Sequence, residues 1–119
     1  MAKLTFYSLA QCSTCKKARA WLQARGIDFD EKAIRVTPPS PHELRRMLAY
    51  QRGEIRRLFN TSGQDYRAAG LKDTLPHLSD DAAIALLAAN GSLVKRPFLI
   101  GPDVGLVGFH EPTWQRALG

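Results

Sequence analysis

Two cysteines at a strand-to-helix junction constrain this chain more than any other feature. Residues 3–8 alternate in the manner of a strand, with Leu4 and Phe6 facing one way and Thr5 and Tyr7 the other. A helical pattern sets in at about Ser13. Cys12 and Cys15 lie at its start, and the chain holds no further cysteine. Three residues apart on a helix, the two side chains share a face. Both fall where backbone N–H groups lack partners and the helix dipole is positive, with Lys16, Lys17 and Arg19 close behind. That setting favours thiolate over thiol, so Cys12, at the helix entrance, is the candidate nucleophile. Cys15, one turn deeper, is placed to attack a mixed disulfide on Cys12 and release the partner.

A strand, a Cys-x-x-Cys turn, a helix and a second strand together read as a thioredoxin-like redox motif. A zinc site needs four ligands, and His42, His77 and His110 offer no tight spacing, so no metal is expected. A disulfide across so small a loop would constrain little. The remaining alternative is a pair of inert helix cysteines. At 119 residues the chain is long enough for one domain with a core, and 45% hydrophobic and 24% charged residues are globular values. No apolar run is long enough to span a membrane and no apolar leader is visible, so a reducing cytoplasmic location is expected. There a cysteine pair is catalytic or sensory more often than structural. The net charge is +6, and Arg45, Arg46, Arg52, Arg56, Arg57, Arg67 and Lys72 carry much of the excess. Without interleaved aromatics or a nucleic-acid motif this reads as a solvated helical face, and no direct nucleic-acid binding is expected.

The first helix is expected over about 13–25, ended by Gly26, with Ala18, Trp21 and Leu22 on one stripe. Residues 27–35 read as a second strand, parallel to the first across the helical crossover, with Phe29 and Ile34 inward. Ser40-Pro41-His42-Glu43 is a helix start with a capping box, and Leu44, Met47 and Leu48 supply its apolar stripe. Gly53 interrupts the pattern, and 54–59 adds a turn or two with Ile55, Leu58 and Phe59 inward. A turn at 60–63, a short helix to Ala69 closed by Gly70, a connection at 75–78 and a helix capped by Ser79 follow. Phe98-Leu99-Ile100 and Leu106-Val107-Gly108-Phe109 form a hairpin, and Glu111-Pro112 opens a last helix carrying Trp114, Ala117 and Leu118. The order β-α-β, helices, β-β-α predicts a mixed four-stranded sheet of the α/β class with an inserted helical subdomain. The core is expected over about 1–39 and 93–119, the insertion over 40–92. Pro97, just before a buried strand, fits either a cis peptide or an ordinary strand-entry proline.

Three stretches resemble the arsenate reductase and Spx/MgsR family: Cys12 to Leu22, Leu58 to Arg67, and Lys95 to Ile100 with Val107-Gly108-Phe109. The resemblance implies a thioredoxin-like fold with a helical insertion and a cis Arg96–Pro97 bond beside Cys12. In the glutaredoxin-linked reductases it implies that a cysteine matching Cys12 attacks arsenate while arginines hold the oxyanion. Arg96 matches one of these. A second belongs where Asn60 stands and a third near Gly108 or Phe109, with Lys16, Arg19 or Arg57 as candidate substitutes. Cys15 matches Spx-like members, where the pair is a thiol–disulfide switch and the helical subdomain binds the RNA polymerase α-subunit near a glycine resembling Gly53. The expected function is therefore thiol–disulfide oxidoreduction, with Cys12, Cys15 and Arg96 catalytic. Ser13, Thr14, Lys16, Asn60 and Pro97 are expected to contact substrate. No tightly bound cofactor is expected, and glutathione, glutaredoxin or thioredoxin would be the reductant. The alternative is a redox-sensing regulator.

Overall fold

The structure, a computed structural model, describes residues 4–119. Lys3, expected to begin the first strand, lies outside them. Among the described residues four strands form one sheet in the order β2-β1-β3-β4. Strand β1 (Leu4–Ser8) pairs in parallel with β2 (Phe29–Ala33) and antiparallel with β3 (Phe98–Ile100), which pairs antiparallel with β4 (Gly105–Val107). Helix α1 (Ser13–Ala24) makes the crossover between β1 and β2. The insertion contains α2 (Pro41–Tyr50), α3 (Gln64–Ala68), α4 (Leu71–Thr74) and α5 (Asp80–Ala89), with single 3-10 turns at Ile55–Leu58, Leu75–His77 and Gly91–Leu93. Helix α6 (Glu111–Leu118) follows β4. This is the expected thioredoxin-like arrangement, a mixed four-stranded sheet with helices. No helix of the described residues is long and apolar enough to cross a membrane.

The register explains how one thin sheet carries two cores. Phe6, Leu99 and Leu106 stand in one cross-strand row; Tyr7, Phe98 and Val107 stand in the next, pointing the other way. The first row packs with Ala18 and Leu22 of α1 and Trp114 of α6. The second packs with Leu44, Met47, Ile84 and Leu87 of the insertion. Both faces of β1 are therefore covered: Tyr7 is as buried as Phe6, and its hydroxyl donates to Glu43 Oε1 at 2.7 Å. Burial first, and that hydrogen bond second, push the Tyr7 phenol well above its usual pKa, so it remains a donor.

Several boundaries differ from expectation. Strand β2 spans five residues, not nine; Ile34 is buried past its end, where its N–H reaches Ser8 O at 2.9 Å. Strand β4 ends at Val107 because Gly108 turns to a φ of +69°, leaving Phe109 outside the sheet. Gly70 does close α3, but the chain restarts at once as α4, which the sequence pattern did not reveal. Ala117 is exposed on α6 while Trp114 is buried. The seven basic residues between 45 and 72 are spread from α2 to α4 rather than along one helix, but six of them are exposed to solvent as expected, with Arg46 half-buried. Arg45 pairs with Asp81, Arg57 with Glu54, and Arg46 reaches the carbonyls of Gly101 and Pro102.

The return from insertion to core is tight. A Cβ at Gly91 would sit 1.9 Å from the Ile34 carbonyl oxygen, so only glycine lets the 91–93 turn lie against the exit of β2. Leu58 and Lys95 then share a 2.8 Å backbone hydrogen bond, and Asn60 N–H reaches Leu93 O at 2.7 Å. These contacts hold Arg35, Asn60 and the 92–96 segment side by side.

Candidate active site

Cys12 is the N-cap of α1, not a residue of its first turn: its backbone is extended, at φ −84° and ψ 114°. Its N–H donates to Leu9 O at 3.1 Å, closing the turn from β1, and its carbonyl accepts from Lys16 N–H at 3.1 Å. Its sulfur takes the place of the capping oxygen, accepting from Cys15 N–H at 3.2 Å. Both thiols are free. Cys12 is half-buried, whereas Cys15 is 0% exposed. Burial, and next the hydrogen bond its thiol makes to Cys12, push Cys15 up to about 12. A hydrogen bond with the Leu9 backbone and the charge of Arg96 pull the other way without offsetting this. The two sulfurs are thus unequal: one accessible and hydrogen-bonded as an acceptor, the other buried and protonated. Ser13, Thr14 and Lys16 are exposed around the entrance to α1.

Behind the pair lies a polar relay with no counterpart in the sequence reading. Arg19 of α1 grips Glu31 of β2 with both Nε, at 2.9 Å from Oε1, and Nη2, on Oε2. The hydroxyl of Ser8, buried at the end of β1, donates to Glu31 Oε2. The Arg19 hydrogen bonds, aided by Ser8, hold the Glu31 carboxyl below its usual range. The same carboxylate, then both cysteine sulfurs, hold the Arg19 guanidinium charged. Because the folded carboxyl titrates low, its stabilising share is complete above the unfolded value of about 4.3 and lost as pH falls through the lower folded value. Glu31→Gln is expected to cost roughly 1 kcal/mol at pH 7, the upper end for an exposed bidentate pair. That cost should shrink in urea unfolding as pH falls below the unfolded value of about 4.3. A cost independent of pH would refute this account.

Arg96 and Asn60 do come together, in a polar cavity of about 380 Å³. The arginines that join them there are Arg35, just past β2, and Arg67 on α3. Arg19 and Arg57, the substitutes suggested by the resemblance, are engaged elsewhere with Glu31 and Glu54. Arg96 Nη1 donates to Ser92 O at 3.3 Å, and Arg35 Nε donates to Ser92 Oγ at 2.9 Å. Cys12, Ser13, Thr14 and Lys16 do not line this cavity; Arg96, which does, lowers the Cys15 pKa slightly by its charge. The Arg96–Pro97 bond is cis, Pro97 is buried, and its carbonyl accepts from Gly108 N–H at 2.9 Å. Near Gly108, where a third arginine would belong, lies the aliphatic stem of Lys95.

With this geometry in hand, the chain can be set beside known proteins. Its residues 7–117 match the model of the ArsC family. It is 39% identical to the YusI protein of Bacillus subtilis over 112 residues, covering 94% of this chain and 95% of that one. It is 33% identical to the global transcriptional regulator Spx of Enterococcus faecalis over 116 residues, covering 97% of this chain and 86% of that one. A crystal structure described as a possible arsenate reductase from Streptococcus mutans superposes with a TM-score of 0.86 at 43% identity, covering 92% of this chain and 93% of the other. A match over residues 7–117, nearly the whole length, shows that the chain belongs to the ArsC family.

Proposed function

We propose that the chain is a cytoplasmic thiol–disulfide oxidoreductase in which Cys12 attacks and Cys15 resolves. The observation that carries this reading is the inequality of the two sulfurs. Cys12 is half-buried and its sulfur accepts from the Cys15 N–H, while Cys15 is buried and holds its proton. In the first step the Cys12 thiolate attacks a substrate disulfide. A Cys12–substrate bond forms, and the other substrate sulfur leaves as a thiolate and takes up a proton. That bond removes the Cys12 charge and acceptor, two of the causes that hold the Cys15 pKa high. Cys15 then releases its proton more readily and attacks Cys12 Sγ. The Cys12–Cys15 disulfide forms, and the remaining substrate thiolate leaves and is protonated. Two electrons and two protons pass to the substrate, and glutathione, glutaredoxin or thioredoxin returns them to the pair. Arg96 and Arg19 supply positive charge to the exchanging sulfurs; Pro97 shapes the groove beside them.

The test is a turnover panel in which arsenate and low-molecular-weight disulfides are each offered with glutathione/glutaredoxin or thioredoxin. Disulfide turnover is expected to exceed arsenate turnover. Mild oxidant is also expected to convert the protein to a monomer two hydrogens lighter, restored by dithiothreitol. Persistent free thiols, or only dimeric adducts, would refute the resolving role of Cys15.

A second reading, redox-dependent regulation through the RNA polymerase α-subunit, is favoured by the Spx relatives and by one surface. Gly53, at a φ of +79° with open space around it, borders a cavity of about 740 Å³ with Arg56, Arg57 and Lys95. Two results together would put this reading in place of the first. One is absent turnover; the other is saturable binding of the purified C-terminal domain of the polymerase α-subunit, abolished by Gly53→Arg.

A further inference from the structure

Within the helical insertion, away from the thiols, lies a cavity of about 440 Å³ lined by Ile55, Arg56, Tyr66, Lys72, Leu75 and Pro76. It opens where short pieces of chain meet: the turn at Ile55–Leu58, helices α3 and α4, and the turn at Leu75–His77. Its walls are of two kinds. Ile55, Leu75 and Pro76 are apolar, and the Tyr66 ring stands edge-on to Phe59 with centroids 6.1 Å apart. Arg56 and Lys72 bring two positive charges, and no acidic residue lines the cavity. Glu54 is taken by Arg57, and among the described residues neither Arg56 nor Lys72 pairs with a carboxylate. Tyr66 supplies the second observation. It is 5% exposed, yet its hydroxyl has no hydrogen-bond partner among the described residues. The other tyrosines differ: the Tyr7 hydroxyl donates to Glu43 at 2.7 Å and the Tyr50 hydroxyl to Pro102 O at 3.0 Å. A side chain so deeply buried normally has its polar atom satisfied, so the Tyr66 hydroxyl is left for an occupant of the cavity that it lines.

We propose that this cavity binds a small amphipathic carboxylate, its apolar body against Ile55, Leu75 and Pro76 and its head held by Arg56, Lys72 and the Tyr66 hydroxyl. An ionised carboxylate only accepts hydrogen bonds, and the three polar groups here can all donate. A compact inorganic anion would satisfy the charges and leave the apolar walls uncovered. A neutral hydrocarbon would cover the walls and leave the hydroxyl and both cations without a partner. The volume falls in the range of about 300–1,000 Å³ usual for small-molecule sites. The site goes beyond the oxidoreductase reading, since neither cysteine nor Arg96 lines it.

The probe is octanoate, titrated into the reduced full-length protein and followed by NMR of backbone amides and side-chain methyls. Saturable shifts are expected at Ile55, Arg56, Tyr66, Lys72 and Leu75. Octanol, neutral and of the same chain length, should bind about tenfold more weakly or worse. Arg56→Gln with Lys72→Gln should weaken octanoate by about tenfold, and Tyr66→Phe, which removes only the hydroxyl, by roughly three- to tenfold. Arg45→Gln, which removes one charge elsewhere on the insertion, should leave the affinity within about twofold. Absence of saturable binding, shifts centred outside the cavity, octanol binding as tightly as octanoate, or displacement of octanoate by an equal concentration of sulfate would overturn the proposal. So would a double glutamine variant that binds like the wild type. Arg56 and Lys72 are exposed, so that variant should fold; should it not, the comparison of octanoate with octanol on the wild type still decides.

Discussion

Cys12→Ser is expected to abolish disulfide turnover, by about a thousandfold or more, because a serine hydroxyl cannot form the covalent intermediate. Cys15→Ser should behave differently. Cys12 is still present to attack, so the substrate should be captured as a stable mixed disulfide. Leaving thiol should then appear in a burst no larger than the protein concentration. Further turnover would depend on an external thiol attacking the adduct. Alkylation offers a second view of the same inequality. In the wild type, iodoacetamide should label Cys12 before Cys15 from about pH 6 to pH 10, since Cys15 is fully buried and titrates near 12. The sign of the linkage is also fixed. A thiol with a raised folded pKa contributes stability in full below its unfolded value of about 8.5, and that share is lost as pH climbs toward 12. Equal labelling of both cysteines, or undiminished turnover of Cys12→Ser, would remove the basis for assigning attack to one and resolution to the other.

Trp114→Ala should cost about 3–5 kcal/mol, among the largest stability losses that truncation of a buried side chain brings. Trp114 is 1% exposed and sits between Trp21 and Phe109, with ring centroids at 6.0 and 5.0 Å. Its indole N–H donates to Gly108 O at 3.1 Å, tying α6 to the residue that ends β4. Alanine would open a cavity on the α1 side of the sheet and leave that carbonyl without its donor. Against a total of about 5–15 kcal/mol for a domain of this kind, such a loss approaches global unfolding. Trp114→Phe keeps one aromatic ring in the cluster and loses the donor and the second ring, so a smaller cost of about 1–3 kcal/mol is expected. Chemical denaturation of both variants checks the ranking. Equal costs would mean that the aromatic cluster contributes little and the hydrogen bond nearly all.

What could be read from the residues was what is locally encoded. Ser40 and Glu43 form the expected capping box because both halves of the motif lie within one turn. The cysteine pair was visible for the same reason, although the shift of Cys12 from first turn to cap depends on a backbone angle that spacing does not report. Gly70 misled by being what it looked like: it ends one helix in a left-handed conformation and starts another at once. The burial of Tyr7 was hidden because an alternating strand shows which residues share a face, not whether a helical layer covers each face. Least legible was the meeting of Arg35 and Arg67, 32 positions apart, one at the end of the expected second strand and the other on a short helix. They meet only because Gly91 lets the returning chain press against Ile34. A glycine followed by serine just past a helix was the one available signal, and it says nothing of what lies opposite.

The hydrogen bond from Tyr7 to Glu43 bears on how such a chain can be taken apart. Glu43 Oε1 accepts from the Tyr7 hydroxyl and, at 3.0 Å, from the Ser40 N–H, so one oxygen belongs at once to the capping of α2 and to the middle of the sheet. On that side of the sheet Tyr7, Ile34, Phe98, Ile100 and Val107 pack in one cluster with residues drawn from 44–94. The helical segment is therefore not a transplantable cassette. Swapping it between relatives would also demand the matching back-face side chains of β1 and β3, and the unit of exchange is the lattice of contacts on both sides of that oxygen.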